Sequence, residues 1–161
     1  MVRSLLPFIL AAFLAACSDH TPPCVRFFEP YPDLNPARAH TARNVKLVEA
    51  MELYRRNDLS AAATTLEGYL ANDPEEESTG HFYLANCYLA LGRPYDAERE
   101  LDRVESDRLR PFQDEVEWYN TLCLVCSDQH DRALALARAI AAQPQHAYKA
   151  QADALVNALE R

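Results

Sequence analysis

Glycine is scarce in this chain: Gly68, Gly80 and Gly92 are the only three in 161 residues. Their isolation excludes a glycine-rich loop of the kind that cradles phosphate. No stretch alternates apolar and polar residues in steps of two, so the half-buried strand pattern is missing as well. Positive charge is in deficit, with 16 Lys and Arg against 24 Asp and Glu and a formal net charge of −8. Such a chain has no electrostatic reason to bind nucleic acid or anionic lipid headgroups. A long hydrophobic run is also lacking. The apolar core of residues 5–14 (LLPFILAAFL) is only ten residues long and holds Pro7, whereas a spanning helix needs about 20 apolar residues. Apolar residues in general are plentiful, at 49% of the chain, enough to bury the core of one domain.

The first residues read as an export signal. Arg3 supplies a positive start, residues 5–14 the apolar core, and the small Ala15 and Ala16 precede Cys17. Leu14-Ala15-Ala16-Cys17 resembles a bacterial lipobox. The resemblance implies cleavage after residue 16 and a diacylglycerol on Cys17, with the new amine acylated by a fatty acid such as palmitate. Several acyl chains, at about 0.8 kcal/mol per buried CH₂, hold a protein on a bilayer without a spanning helix. An ordinary cleavable signal beside a coincidental Cys17 is the alternative. Ser18, where an Asp would resemble an inner-membrane retention signal, points to the outer membrane. The expected localisation is therefore the bacterial cell envelope, lipid-anchored at its outer membrane. Cleavage removes Arg3 and leaves the mature chain still more acidic.

Residues 17–35 differ in composition from all that follows. Pro22, Pro23, Pro30, Pro32 and, just beyond, Pro36 make up half of the ten prolines. Such a stretch favours extended polyproline conformations over helix and reads as a lipidated tether. The cluster Val25, Arg26, Phe27, Phe28 and Tyr31 interrupts it. Phe27 and Phe28 are expected to dock on the first helix or at the membrane interface.

Residues 36–161 read as helix almost throughout. Asn35-Pro36 suits an N-cap and first helical residue, and Ala39, Ala42, Val45, Val48 and Met51 recur at three-residue steps. Asn57-Asp58 breaks the pattern before Leu59, Ala62, Ala63, Leu66, Tyr69 and Leu70, which end at Asn72-Asp73-Pro74. A third helix carries Phe82, Tyr83, Ala85, Tyr88 and Leu89 and stops at Gly92, the favoured left-handed cap. Pro94 opens its partner, and Pro111 opens the next helix, with Val116, Trp118, Tyr119, Leu122 and Val125. A turn over residues 127–130 leads to Ala133, Leu136, Ala137 and Ile140. After Pro144 a last amphipathic helix holds Tyr148, Ala152, Leu155 and Leu159.

These helices repeat in pairs. Ala62, Ala97 and Ala133 lie 35 and 36 residues apart, and Phe82-Tyr83 and Trp118-Tyr119 lie 36 apart, as do Cys87 and Cys123. Periods of this length mark helical solenoids, in which each hairpin buries its apolar face on a neighbour. The run Tyr83-Leu84-Ala85, Tyr88-Leu89, Leu91-Gly92-Arg93, Ala97 and Leu101 is similar to the tetratricopeptide repeat. The earlier pair matches it with Asn57-Asp58, Ala62, Leu66 and Pro74, the later with Trp118, Tyr119, Leu122 and Ala133. The later pair lacks Gly at its turn, and Ala137 stands where a bulkier residue is usual. The resemblance, over residues 38–142, implies an all-α, right-handed α-solenoid of about three hairpins with a C-terminal capping helix. Ala at the three repeated sites fits a close helix crossing.

Chemistry finds little footing. His20, His40, His81, His130 and His146 stand in no spacing with a nucleophile or metal-ligating partner, so no catalytic residue, metal or cofactor is expected. Glu75-Glu76-Glu77 decorates a helix N-terminus, where negative charge is favourable. Cys123-Leu124-Val125-Cys126, followed by His130, suggests a thiol or metal site, but a redox pair normally opens a helix, where the thiol pKa is lowered, and this one nearly ends one. Packing is the first reading for Cys24, Cys87, Cys123 and Cys126; a disulfide among them or a metal are the alternatives.

The first helix of each tetratricopeptide hairpin lines a concave groove. The resemblance places Leu47, Met51, Tyr54, Phe82, Asn86, Leu89, Trp118, Leu122 and Val125 there, with Trp118 and Asn86 as the exposed members and the rest shared between groove and core. Leu47, Met51 and Glu115 stand where a clamp for a C-terminal carboxylate would need Lys, Arg or Asn. The function this implies is a non-enzymatic, lipid-anchored scaffold that holds a protein or extended peptide in its groove, in assembly of an outer-membrane or other envelope complex. A thiol- or metal-dependent protein using Cys123, Cys126 and His130, and a purely structural spacer, are the alternatives.

Overall fold

The computed structural model describes residues 21–161 apart from Asp73 and Glu75. The signal, Cys17, Ser18 and His20 therefore fall outside the described residues. All regular structure among the described residues is helical: α1 (Pro23–Phe27), α2 (Val45–Arg55), α3 (Leu59–Leu70), α4 (Glu77–Ala90), α5 (Pro94–Glu105), α6 (Gln113–Cys126), α7 (His130–Ala141) and α8 (Lys149–Leu159). Helices α2 and α3, α4 and α5, and α6 and α7 form three hairpins, each stacked on the next, and α8 covers α7. None of these helices is long and apolar enough to cross a membrane.

The hairpins share one turn. Asn57, Gly92 and Asp128 have φ of 61°, 70° and 59°, a left-handed conformation that ends a helix. The next amide in each case reaches back five residues: Asp58 N–H to the Leu53 carbonyl at 3.0 Å, Arg93 to Tyr88 at 2.8 Å and Gln129 to Leu124 at 2.9 Å. This is the Schellman closure, which satisfies carbonyls that the helix end would leave unpaired. The third turn makes it with Asp in place of Gly. A few residues on, Ala62, Ala97 and Ala133 are all fully buried. Each heads a stripe at i, i+4 and i+7: Ala62, Leu66, Tyr69; Ala97, Leu101, Val104; Ala133, Ala137, Ile140, all buried. Side chains three and four apart share one helix face, and that face is what each second helix packs inward.

The links between hairpins are irregular. Between α3 and α4, the Glu76 N–H donates to the Tyr69 hydroxyl at 2.7 Å, and Gly80 passes so close that a Cβ there would lie 2.8 Å from Leu70 Cδ2. Between α5 and α6, Arg110 and Phe112 have φ of 45° and 60°. The helix that Pro111 was expected to open begins instead at Gln113, with left-handed Phe112 as its cap. The first hairpin also starts later than its sequence implies. Residues 36–44 are turns and irregular chain, and Ala39 and Ala42 are exposed. Asn44 holds this loop: its Oδ1 accepts from the Thr41 N–H at 2.8 Å and its Nδ2 donates to the Ala39 carbonyl at 2.8 Å. A side chain that satisfies the backbone in this way competes with helix.

Helix α1 corrects the expectation that the proline-rich stretch forms no helix. Pro23 stands at its first position, where the absent N–H is one that a helix leaves unpaired anyway.

Candidate functional site

Residues 24–33 lie along the side of the array formed by α2, α4 and α6, running from the third hairpin back to the first. At one end Cys24 is bonded to Cys126 at the end of α6. At the other, Asp33 meets Arg55 at 2.5 Å and Arg38 at 3.8 Å. Between them one tyrosine from each hairpin holds the main chain. The Tyr119 hydroxyl donates to the Glu29 carbonyl at 2.7 Å, that of Tyr54 to the Tyr31 carbonyl at 2.8 Å, and that of Tyr83 to the Pro32 carbonyl at 3.0 Å. Asn86 completes the set. Its Oδ1 accepts from the Tyr31 N–H at 3.0 Å, while its Nδ2 is tied to the Phe82 carbonyl at 3.0 Å, which fixes the amide's orientation.

The side chain that enters the groove most fully is Tyr31. Its ring meets Phe82 edge-on at 5.2 Å and lies 6.3–6.4 Å from Tyr83, Phe112 and Tyr119. Phe82 is the hub, stacked on Phe112 at 4.4 Å and edge-on to Tyr119 at 5.7 Å. Such pairs contribute about 0.5–1.5 kcal/mol each beyond their buried area, which accounts for Phe112 tolerating its left-handed backbone. The Tyr31 hydroxyl donates to Glu115 Oε1 at 3.1 Å. Burial first, and then the Glu115 charge and hydrogen bond, push the Tyr31 pKa up to about 12, so it remains a donor near neutral pH. Burial likewise raises Tyr54, Tyr83 and Tyr119, keeping all three as donors to carbonyls.

This segment changes the standing of the sequence-derived groove. Leu47, Met51, Tyr54, Phe82, Asn86, Leu89, Trp118, Leu122 and Val125 are all buried. Asn86 and Trp118, expected to be exposed, are 0% and 3% exposed. Asn86 is covered by Tyr31, and Trp118 is stacked at 5.6 Å on Tyr148, the N-cap of α8. Glu115 receives the Tyr31 hydroxyl. Phe27 and Phe28 also depart from expectation: they pack against the central core, with Phe28 edge-on to Tyr119 at 6.3 Å. An open cleft remains beside the segment, lined by Pro30, Tyr31, Trp118, Tyr148 and Gln151. Sequence reasoning missed Tyr31, Tyr83 and Tyr119 as groove residues. The 36-residue spacing of Tyr83 and Tyr119 was the available signal.

The cysteines divide into two classes. Cys24 and Cys126 form the disulfide, whereas Cys87 and Cys123 are free and buried. Burial pushes the Cys87 thiol up to about 12 and raises Cys123 as well, so both remain protonated thiols at neutral pH and poor nucleophiles. With Cys126 bonded and Cys123 buried, the pair does not present the free dithiol that a thiol-based activity would need. His130 is exposed, with Nε2 3.8 Å from Asp128. No group of three or more potential ligands that could hold a metal ion occurs among the described residues.

Away from the groove, His81 Nδ1 and Glu100 Oε2 are 2.7 Å apart and buried, and Arg103 joins Glu100 at 2.9 Å. Burial works to raise the Glu100 carboxyl, but the His81 hydrogen bond and the nearby Arg103, His81 and Arg99 charges outweigh it and hold the pKa below the ordinary glutamate value. The arrangement ties α4 to α5 and is a structural pair.

The fold and groove define an all-α protein of tetratricopeptide-like hairpins with its concave face filled by its own N-terminal segment. Among solved structures it is similar to PcrH from Pseudomonas aeruginosa, with a TM-score of 0.53 at 16% identity over 77% of this chain and 97% of that one. The likeness is one of fold. No protein-family model and no curated protein matches the sequence.

Proposed function

We propose that this chain is a lipid-anchored protein of the bacterial envelope that acts as a non-enzymatic interaction scaffold, serving assembly of an outer-membrane or other envelope complex. The observation that carries the scaffold reading is the groove's way of holding an extended segment: Tyr54, Tyr83 and Tyr119 donate to three of its carbonyls and Asn86 accepts from its amide. Main-chain recognition of this kind, with a pocket for one side chain, suits extended peptides. The anchor rests on Leu14-Ala15-Ala16-Cys17 and the short apolar core before it. In this reading residues 1–16 are the cleaved signal, and Cys17 carries the lipid.

The test compares the wild-type chain with Cys17→Ser in intact envelopes, by fatty-acid labelling and by crosslinking with pull-down. Label and outer-membrane fractionation lost in the variant, with a specific envelope protein captured by the wild type, are the expected results. Equal fractionation without label in either chain would overturn the anchor. Absence of any captured envelope protein would overturn the scaffold.

A further inference from the structure

The groove is occupied, and the manner of its occupation is informative. Its polar contacts with residues 29–32 are almost all to main-chain atoms, and Tyr31 is the one side chain of that stretch seated in the aromatic cluster. Glu29 and Pro32 are exposed, and beyond the groove Leu34 is 69% exposed. A permanent core layer would be held by interlocking apolar side chains. This segment is held as a bound peptide is, by its backbone, the Tyr31 anchor and Phe28 against Tyr119, with Asp33 drawn to Arg55 and Arg38.

The covalent end lies at the surface. Cys126 is half-buried and borders an open cleft with Gly92, Arg93, Pro94, Ser127 and Asp128, the side from which an outside thiolate would approach the bond. Neither internal thiol serves as the attacker, since Cys87 and Cys123 are buried.

We propose that residues 28–33 are a resident pseudo-ligand, that the groove accepts in their place an extended segment of a partner protein bearing an aromatic residue between prolines, and that the Cys24–Cys126 bond governs the exchange. The proposal rests on the scaffold reading and narrows its partner. Opening the latch is thiol–disulfide exchange with a protein dithiol. The thiolate of the dithiol attacks Cys126 Sγ, the Cys24–Cys126 bond breaks, and Cys24 leaves as a thiolate that takes up a proton. The second sulfur of the dithiol then displaces Cys126 from the mixed disulfide. Two electrons pass to the chain, which ends with two thiols, and the dithiol ends as its own disulfide. The segment then stays covalently attached only through residues 34–44, with α1 held on α6 and α8 by packing alone. Its effective concentration over the groove falls once packing is the only hold on its other end, within reach of a competitor.

The experiment uses the full chain in detergent and a fluorescent peptide of residues 27–34, with a second peptide carrying Tyr31→Ala. Anisotropy is measured on the oxidised chain, on the chain reduced and alkylated, and on the reduced Tyr31→Ala chain. Reduction should tighten peptide binding by about tenfold or more, and removing the resident anchor should tighten it further. The peptide without tyrosine should bind poorly throughout. Equal binding by oxidised and reduced chains overturns the proposal, as does failure of the reduced Tyr31→Ala chain to bind while its helical circular dichroism is intact. Should that variant lose helicity, hydrogen exchange on the reduced wild type decides. Fast exchange confined to residues 28–33, with α2, α4 and α6 protected, supports exchange; an unchanged pattern or a general loss of protection sinks it. Peptide binding without a captured envelope partner would defeat the scaffold reading alone, and a captured partner without peptide binding would defeat the exchange alone.

Discussion

The hairpins and the resident segment are held to the same core by different means. Within the hairpins, stabilisation repeats: a left-handed cap, a buried Ala and an apolar stripe recur three times, and most packing joins helices that follow one another in the chain. The segment is held by contacts that occur once, such as Tyr119 to Glu29 across 90 residues and Cys24 to Cys126 across 102. Closing loops of that length is entropically costly, and the cost grows slowly with length. The segment therefore needs several weak contacts acting together, or one covalent one. Repetition makes the hairpins robust to a single loss, whereas the segment depends on a few particular atoms.

The residue that belongs to both regions should break the comparison most. Phe82 is fully buried in α4 and touches Tyr31, Phe112 and Tyr119. Phe82→Ala should cost about 3–5 kcal/mol, read as a lowered urea midpoint, with hydrogen exchange at the Tyr31 amide rising together with that of α4. A cost under about 1 kcal/mol would mean the ring is not the hub described.

Next in size is the disulfide. Replacing Cys24 and Cys126 by Ser removes a cross-link of sequence separation 102. Chain entropy gives about 4.7 kcal/mol for a loop of ~100 residues, and typical values are about 2–4 kcal/mol. The midpoint should fall by that order while helicity at room temperature is unchanged, because the hairpins keep their own packing. Loss of helicity in the double variant would show that the segment is part of the solenoid's own core.

Smaller still is the pair on the far side of α4. Glu100 has its folded pKa below the 4.5 of the free side chain, so the unfolded chain binds the proton more readily. Its contribution is fully present above about pH 4.5 and is lost as the pH falls through the folded value. Glu100→Gln should cost about 1–3 kcal/mol at neutral pH, as for a buried hydrogen bond to a charged group. It should also flatten the fall in stability below pH 4.5, measured by thermal melts across that range.

What could be read from the residues follows the same division. Ala62, Ala97 and Ala133, Gly92 and Pro94 report local geometry, and they lead to hairpins, turns and stacking order. The occupation of the groove is not local. Proline at residues 22, 23, 30 and 32 signals an extended chain equally well whether it stands in solvent or lies against tyrosines. Four cysteines beyond Cys17 carry no statement of which two meet. Asn86 and Trp118 read as exposed because a groove residue is exposed until something covers it, and the cover comes from 55 residues away in the case of Asn86. The late start of α2 came from Asn44 bonding its own loop, a competition that apolar periodicity does not register.

The smallest effects lie at the hairpin turns, where three residue types occupy one conformation. Left-handed backbone costs an ordinary L-residue about 1–2 kcal/mol, and Asn or Asp less, whereas Gly adopts it freely. Gly also loses more freedom on folding, by about 0.4–1 kcal/mol. Asp128→Gly should therefore gain only about 0.5 kcal/mol, and Gly92→Ala should lose about 1 kcal/mol, both read from urea midpoints. Asn57→Gly should be close to neutral. The order Ala, then Asp and Asn, then Gly should hold whichever turn is altered, because φ differs among the three by only about ten degrees. If Ala is as stable as Gly at position 92, the Schellman turn is not what ends α4, and the regularity of the three hairpins must come from packing of their second helices alone.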